Sequence, residues 1–305
     1  MLYGESPRVG VTGECIDTDT IRHTMDATRL PVTVVIPVKN EERNLARCLA
    51  RLGRFERVVL VDSGSTDRTH AIAAAQGVEV VQFVWNGKYP KKRNWFLLNH
   101  APSTPWVFFL DADEYLPDEF VDELAAAIKT THHAGFRVAY TNHFLGRSLR
   151  HGVPQVKLPI FRVGAGLYER IDEDSWSRLD MEVHEHPILD GSVGELRTLV
   201  DHEDFKGLDA YIERHRQYAD WEARRFLKLM QTPESRAHLT PIQTRKYQSL
   251  TRWWLAPSYF FYSYVWKLGF LDGWAGLVFA RMKWRYFAMI RLNIIELTRC
   301  PVQPR

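Results

Sequence analysis

A chain of 305 residues with 45% hydrophobic and 25% charged side chains is long enough to bury one large core, which excludes disorder throughout. Its 10 Trp, 12 Tyr and 16 Phe demand a packed interior, an interface, or both. The formal net charge of +3 hides an asymmetry: residues 206–305 carry 17 Lys and Arg against 7 Asp and Glu, a balance of +10 that leaves −7 for the rest, and two charge regimes suggest two jobs.

Residues 1–30 are polar and lack the uninterrupted apolar stretch of a secretory signal, so they read as a mobile leader and the chain is expected in the cytoplasm. Cys15, Cys48 and Cys300 are odd in number and form no CxxC pair. That argues against a disulfide framework or a cysteine zinc site and for a reducing compartment.

Val32 to Pro37 (VTVVIP) is the apolar, β-branched run of a strand buried on both faces. A helix is predicted over Glu41 to Leu52, with Asn40 as its cap, Leu45, Cys48, Leu49 and Leu52 at helical spacing, and Gly53 as terminator. The unit repeats: a strand over Arg57 to Asp62, a helix capped by Thr66 or Asp67 running to Gln76, Gly77 as its end, and a third strand over Val78 to Phe83. Strand and helix in alternation predict right-handed crossovers and a parallel sheet. A helix follows over Lys91 to His100, then a fourth strand, Trp106 to Leu110 (WVFFL), running directly into Asp111-Ala112-Asp113-Glu114. From Gly135 onward the pattern loosens into short strands and turns, before a long helix from about Leu208 to Met230.

Trp253 to Trp266 (WWLAPSYFFYSYVW) is free of charge for 14 residues, too short to span about 30 Å of hydrocarbon as a helix. Arg245, Lys246, Arg252, Lys267, Arg281, Lys283 and Arg285 surround it. Aromatic residues flanked by cations suit an anionic membrane surface, and a core helix pair is the alternative. Nucleic acid is set aside as a partner, because the cations alternate with large apolar stretches and no nucleic-acid motif is present.

Asp111 and Asp113, two hard carboxylates at a strand's carboxyl end, can bind a divalent ion that keeps water and bridges phosphate oxygens. That edge is where open α/β sheets bind ligands. Asp62-Ser63-Gly64-Ser65-Thr66-Asp67 lies at the same edge: Ser65 to Asp67 are explained by capping the next helix, whereas Asp62 comes too early for that.

Three motifs in order, VVIPVKNEERNL, VVLVDSGSTDRT and WVFFLDADE, together resemble glycosyltransferase family 2, inverting nucleotide-sugar enzymes. Weaker resemblance through VHEHPILDGSVGELRTLVDHEDF and YSYVWKLGFLDGWAGLVFA is similar to the branch that builds lipopolysaccharide cores and exopolysaccharides. The resemblance implies an α/β GT-A fold with a mainly parallel central sheet: a catalytic domain over 31–205, of which 31–114 is the nucleotide-binding half and 115–205 the acceptor-side half. A basic, aromatic, helical and membrane-associating extension then occupies 206–305.

The same resemblance implies site residues. Pro37, Lys39, Glu41 and Asp62 would line the nucleoside site, with Lys39 standing where an aromatic residue is common. Arg93 and Asn94, in KYPKKRN, would lie near the diphosphate, while Lys91 and Lys92 read as a solvated helix start. Asp111 and Ala112 would join the nucleotide site, and Asp113, Asp111 and His202 would hold Mn²⁺ or Mg²⁺. Inversion needs one general base to take the acceptor's proton, and Glu185 in Val183-His184-Glu185-His186 matches that position. The implied activity is metal-dependent transfer of a hexose from a nucleotide sugar, UDP-linked, to a hydroxyl of a lipid-linked glycan or lipopolysaccharide core, by an enzyme peripheral on the inner face of the cytoplasmic membrane. Nucleotidyl transfer would need a glycine-rich first loop, which VIPVKNEERN lacks. A non-catalytic nucleotide-sugar-binding or scaffold protein at the membrane is the alternative.

Overall fold

The computed structural model describes residues 29–182, 185–232, 236 and 239–299; most of the leader, His184 and the last six residues lie outside them. The predicted first strand is β1, Leu30–Val38, with Val32, Val34, Val35 and Ile36 wholly buried. It pairs in parallel with β2, Phe55–Asp62, and with β4, Trp106–Phe109; β3, Glu79–Gln82, pairs in parallel with β2. These β-branched and aromatic runs must be apolar on both faces, because helices cover both.

Between β1 and β2 the helix is shorter than expected. Only α1, Leu45–Leu49, is helical, and Asn40 does not cap it. Asn40 adopts φ 56° and its Oδ1 accepts the Thr66 N–H at 2.8 Å. The N–H groups of Glu41 and Glu42 go to Thr69 Oγ1 at 2.9 Å and Asp67 Oδ2 at 3.1 Å. Donors that would have opened a longer helix instead tie the first loop to the second. After β2, α2 (Thr69–Ala75) ends where Gly77 takes φ 64°, a conformation open to glycine without a Cβ penalty. α3, Lys92–Asn99, leads to β4.

Beyond the acidic loop come β5 (Glu114–Tyr115), α4 (Asp118–Thr130), β6 (Gly135–Phe144), β7 (Arg147–Leu149), β8 (Gln155–Arg162), β9 (Gly166–Tyr168), β10 (Pro187–Leu189), β11 (Val193–Glu195) and β12 (Val200–His202). The main sheet runs β3-β2-β1-β4-β8-β6-β12-β5, with β7 and β11 on β6 and a separate two-stranded antiparallel sheet of β9 and β10. β8 is antiparallel to both β4 and β6, and β12 is antiparallel to β5.

The C-terminal part is helical: α5 (Leu208–Gln231), α6 (Pro241–Ser249), α7 (Leu255–Phe261) continued by a π turn over Tyr262–Trp266, a 3₁₀ turn over Gly269–Asp272, and α8 (Gly273–Arg299). α5, α6 and α8 bury a core of their own, including Ala223, Tyr247, Leu250 and Ile290. Phe144 joins them to the sheet, edge-on to Tyr211 and Phe279 at 5.4 Å each. The charge-free segment divides by face. Tyr259 and Phe260 pack on Phe287 and Trp284 of α8, while Trp253, Phe261, Val265 and Trp266 are exposed. Among the described residues no helix is long and apolar enough to cross a membrane.

Candidate active site

The acidic loop leaves β4 at the sheet's carboxyl edge and faces a cavity of about 620 Å³. Asp111 is gripped by two cations: Arg93 Nη2 at 2.8 Å and Lys157 Nζ at 2.7 Å. Burial opposes its charge, but Lys157 and Arg93 outweigh that and hold it well below the usual carboxylate range. Lys157 also bonds the buried Glu114 at 2.5 Å, and it reaches both acids because β8 lies beside β4.

His202 arrives by register. β12 pairs with β5 so that His202 stands opposite Glu114, and with β6 so that it stands opposite Asn142. Its Nε2 lies 3.4 Å from Asp113 Oδ2 and its Nδ1 3.3 Å from Asn142 Oδ1. Burial works against the His202 charge, yet Asp113 raises its pKa above the ordinary value. Asp113 and His202 thus pair with each other, whereas Asp111 spends both oxygens on cations. No group of three ligand-type side chains converges among the described residues. A carboxylate and an imidazole suit Mn²⁺ or Mg²⁺ that takes its other positions from water and substrate oxygens.

Glu185 lines the same cavity, with Glu182 beside it. Its Oε1 meets Lys91 Nζ at 2.9 Å, and Lys91 bonds Glu173 Oε1 at 2.5 Å. Glu173 Oε2 accepts the Trp221 indole N–H at 2.6 Å. All three charged groups are buried. Burial and the charge of Glu185 push Glu173 up, whereas in Glu185 the Lys91 ammonium and a hydrogen bond from Glu173 overcome burial and bring the carboxyl down to about 2. One cation is shared by two buried carboxylates, and that competition drives their pKa values apart, Glu173 upward and Glu185 downward.

Lys91 and Lys92 are therefore not the solvated helix start that their sequence suggests. Both are buried, and Lys92 Nζ donates to the Val38 carbonyl at 3.3 Å and pairs with Asp180 at 3.4 Å. Asn94 sits away from the expected diphosphate position: its amide clamps Tyr168 through both backbone groups, at 2.8 and 2.9 Å. Arg93 does reach the cavity, and it links the acidic loop to the Glu185 segment by donating to both Asp111 and the Glu182 carbonyl. The Glu182 carboxylate caps α3, accepting the Arg93 N–H at 2.9 Å and the Asn94 N–H at 3.1 Å.

At the nucleoside end, Pro37 and Glu41 line the cavity and Ala112 forms its floor beside the acids. Glu41 pairs with Lys206 at 2.5 Å and accepts from Asn44 at 2.9 Å. Lys39 is exposed, and its charge helps hold Asp180 in its ionised form. Asp62 is wholly buried and accepts from Gly64 N, Ser65 N, Ser65 Oγ and His70 Nε2. Burial raises its pKa, but these bonds outweigh it and hold the carboxyl below its ordinary value. Its carboxylate braces its own loop.

Sequence reasoning missed Lys157, Glu173, Glu182 and the roles of Lys91 and Lys92. One signal was present: Lys157 is a lone cation in an apolar strand, QVKLPIF.

Residues 33–177 match the model of Glycosyl transferase family 2. The matched segment, just under half of the chain, is similar to that family's domain, and the mixed α/β fold, with a mainly parallel sheet half and C-terminal helices, is of the GT-A kind. The lipopolysaccharide core biosynthesis glycosyltransferase LpsC of Rhizobium meliloti is 33% identical over 180 residues, 56% of this chain and 62% of that protein. An uncharacterized glycosyltransferase of Rickettsia conorii is 35% identical over 94 residues, 30% of this chain and 32% of that one. The chain thus spans less than two thirds of the length of either relative. Among solved structures, S. aureus TarS (1–349) gives a TM-score of 0.42 at 15% identity, over 90% of this chain and 93% of that one. Glucosyl-3-phosphoglycerate synthase of Mycobacterium tuberculosis, in complex with Mn²⁺, UDP and glucosyl-3-phosphoglycerate, gives 0.30 at 26% identity over 39% and 46%.

Proposed function

We propose that the protein is an inverting glycosyltransferase that moves a hexose from a UDP-linked sugar to a hydroxyl of a lipid-linked glycan or lipopolysaccharide core acceptor. The observation that carries this reading is one cavity lined by the acidic loop with His202 on one side and by Glu185 on another, in a chain whose residues 33–177 match the family 2 model. The named role of the Rhizobium meliloti relative in lipopolysaccharide core biosynthesis supports the acceptor class.

In this reading Asp113 and His202 hold Mn²⁺ or Mg²⁺, which when bound neutralises charge on the leaving diphosphate. Arg93, beside Asp111, adds a fixed cation at the same place. Glu185 takes the proton of the acceptor hydroxyl as its oxygen attacks the anomeric carbon, while the bond from that carbon to the diphosphate breaks on the opposite face. Ionised at neutral pH, Glu185 can accept a proton, and Lys91 holds it in place. Pro37, Lys39, Glu41 and Ala112 border the nucleotide, and Asp62 serves by shaping the 63–65 loop.

The exposed aromatic side chains of 253–274 are proposed to dock the enzyme on an anionic membrane surface at the cytoplasmic face, with the helical region from 206 as the docking domain. Trp253 and Trp266 are 74% and 78% exposed, with Leu271 and Trp274 nearby. Arg147 lies 5.6 Å from the Trp274 ring and Lys267 5.7 Å from that of Tyr262, the pairing that suits a headgroup region.

Calorimetric binding of UDP, GDP, dTDP and CDP, each with Mn²⁺ or Mg²⁺ and then with chelator, tests the donor site. Metal-dependent preference for UDP is expected. Absence of binding to every nucleotide by folded protein would refute the reading and favour a non-catalytic scaffold.

A further inference from the structure

The cavity has two chemically different ends. Near the sheet edge its charges are paired: Asp111 with Arg93 and Lys157, Asp113 with His202, and Glu41 with Lys206. Arg214, paired with Asp204 at 2.8 Å, stands between the two ends. The far wall is built by α5 and α8, which supply Tyr211, Lys283 and Tyr286. There the balance fails. Lys283 makes no ion pair among the described residues, and its ammonium is 5.2 Å from the Phe279 ring centroid. The charge that bears on it is another cation, Arg214; burial and that repulsion bring its pKa down to about 8. On the same wall, the Tyr211 hydroxyl is buried with no hydrogen-bond partner, and its ring stacks on His215 at 3.9 Å.

A cation without a counter-charge and a buried hydroxyl without a partner each carry a cost, about 1–3 kcal/mol for the hydroxyl alone. Both line the same cavity, and an oxyanion is the ligand that each calls for: the ammonium and the phenol are donors, and Arg214 adds favourable field. We infer that this wall is a subsite for an oxyanion, phosphate or carboxylate, carried by the acceptor, with Lys283 and Tyr211 as its ligands. The inference rests on the reading of the cavity as a transferase site, because there the donor diphosphate belongs at the acidic loop and leaves the far wall to the acceptor.

Inorganic phosphate is the probe. Its binding to the full chain is followed by ³¹P NMR with and without saturating UDP and Mg²⁺. Phosphate is expected to bind in both states. Lys283→Met is expected to weaken it about tenfold, the worth of one charged hydrogen bond, with UDP affinity unchanged. Tyr211→Phe is expected to weaken it less, and Lys283→Arg, which keeps the cation, to preserve it. Displacement of phosphate by UDP would overturn the proposal, since the cation would then serve the donor. Phosphate binding indifferent to Lys283→Met would overturn it equally. If UDP fails to bind while phosphate still depends on Lys283, the transferase reading fails and the anion site stands.

Discussion

Replacing Lys91 by Met tests the electrostatics of the proposed base most directly. The substitution keeps the length of the side chain and removes the ammonium that contacts both Glu185 and Glu173. Loss of one partner of a buried pair costs about 3–5 kcal/mol when the remaining charge stays. At about 1.4 kcal/mol per pH unit, that is roughly two to four units of pKa. Glu185, held down to about 2 in the parent, should rise to or beyond the ordinary carboxyl range, because only uptake of a proton relieves the buried charge. A general base works ionised, so raising its pKa moves the acidic limb of the kcat/KM profile upward. In the parent that limb lies near the low pKa of Glu185, about 2; in the variant it should enter the region of about pH 4 to 6. UDP release during transfer, followed against pH, reads this directly. Stability follows the same sign: a depressed carboxyl stabilises the fold above its unfolded pKa and loses that contribution as pH falls through about 2, so the variant should melt lower at neutral pH. Glu173→Gln, which removes the competing carboxylate and keeps Lys91, should not raise the limb. An unmoved limb in a folded Lys91→Met protein would refute the coupling between Lys91 and the base.

Glu185→Gln should leave nucleotide binding intact and cut transfer by about 10²–10⁴-fold; a near-parental rate would show that the base lies elsewhere. Asp113→Ala should weaken UDP binding in the presence of Mn²⁺ or Mg²⁺ and leave the residual binding insensitive to chelator, which calorimetry measures; retained metal dependence would remove Asp113 from the ion's shell. The pair Trp253→Ser and Trp266→Ser should reduce co-sedimentation with phosphatidylglycerol vesicles about tenfold, with binding by the parent falling as salt rises; undiminished binding would place the membrane contact on another surface.

The strand-and-helix order from β1 to β4 was legible in the sequence, because β1, β2 and β4 are buried on both faces and so appear as uninterrupted apolar runs; the helix Asp118–Thr130 that follows the acidic loop was not. Gly77 marked a helix end for an equally local reason, a backbone conformation that glycine adopts freely. The acidic loop was visible as well, since Asp111 and Asp113 directly follow such a run. What failed locally was the start of α1: its first N–H groups are taken by Thr69 and Asp67, residues more than twenty positions away.

Charge partners were the least legible feature, and the reason is physical. A lysine in a polar sequence carries no mark of whether it will be solvated, and Lys91 is buried only because Glu173 and Glu185 come to it from some 80 to 90 residues away. The placement of His202 beside Asp113 rests on the register of β12 against β5, a long-range pairing that no local pattern encodes. Composition alone revealed a basic aromatic tail; only packing separated its Phe260, set against Trp284, from Trp253 and Trp266, left to solvent. Residue types and their periodicity determined which segments would be strands and where acids would stand on the sheet edge, because those depend on near neighbours. The tertiary structure alone decided which charges neutralise one another and which, like Lys283, line the cavity with no ion pair among the described residues, because Coulomb interactions depend on distance in space and on burial, not on separation along the chain.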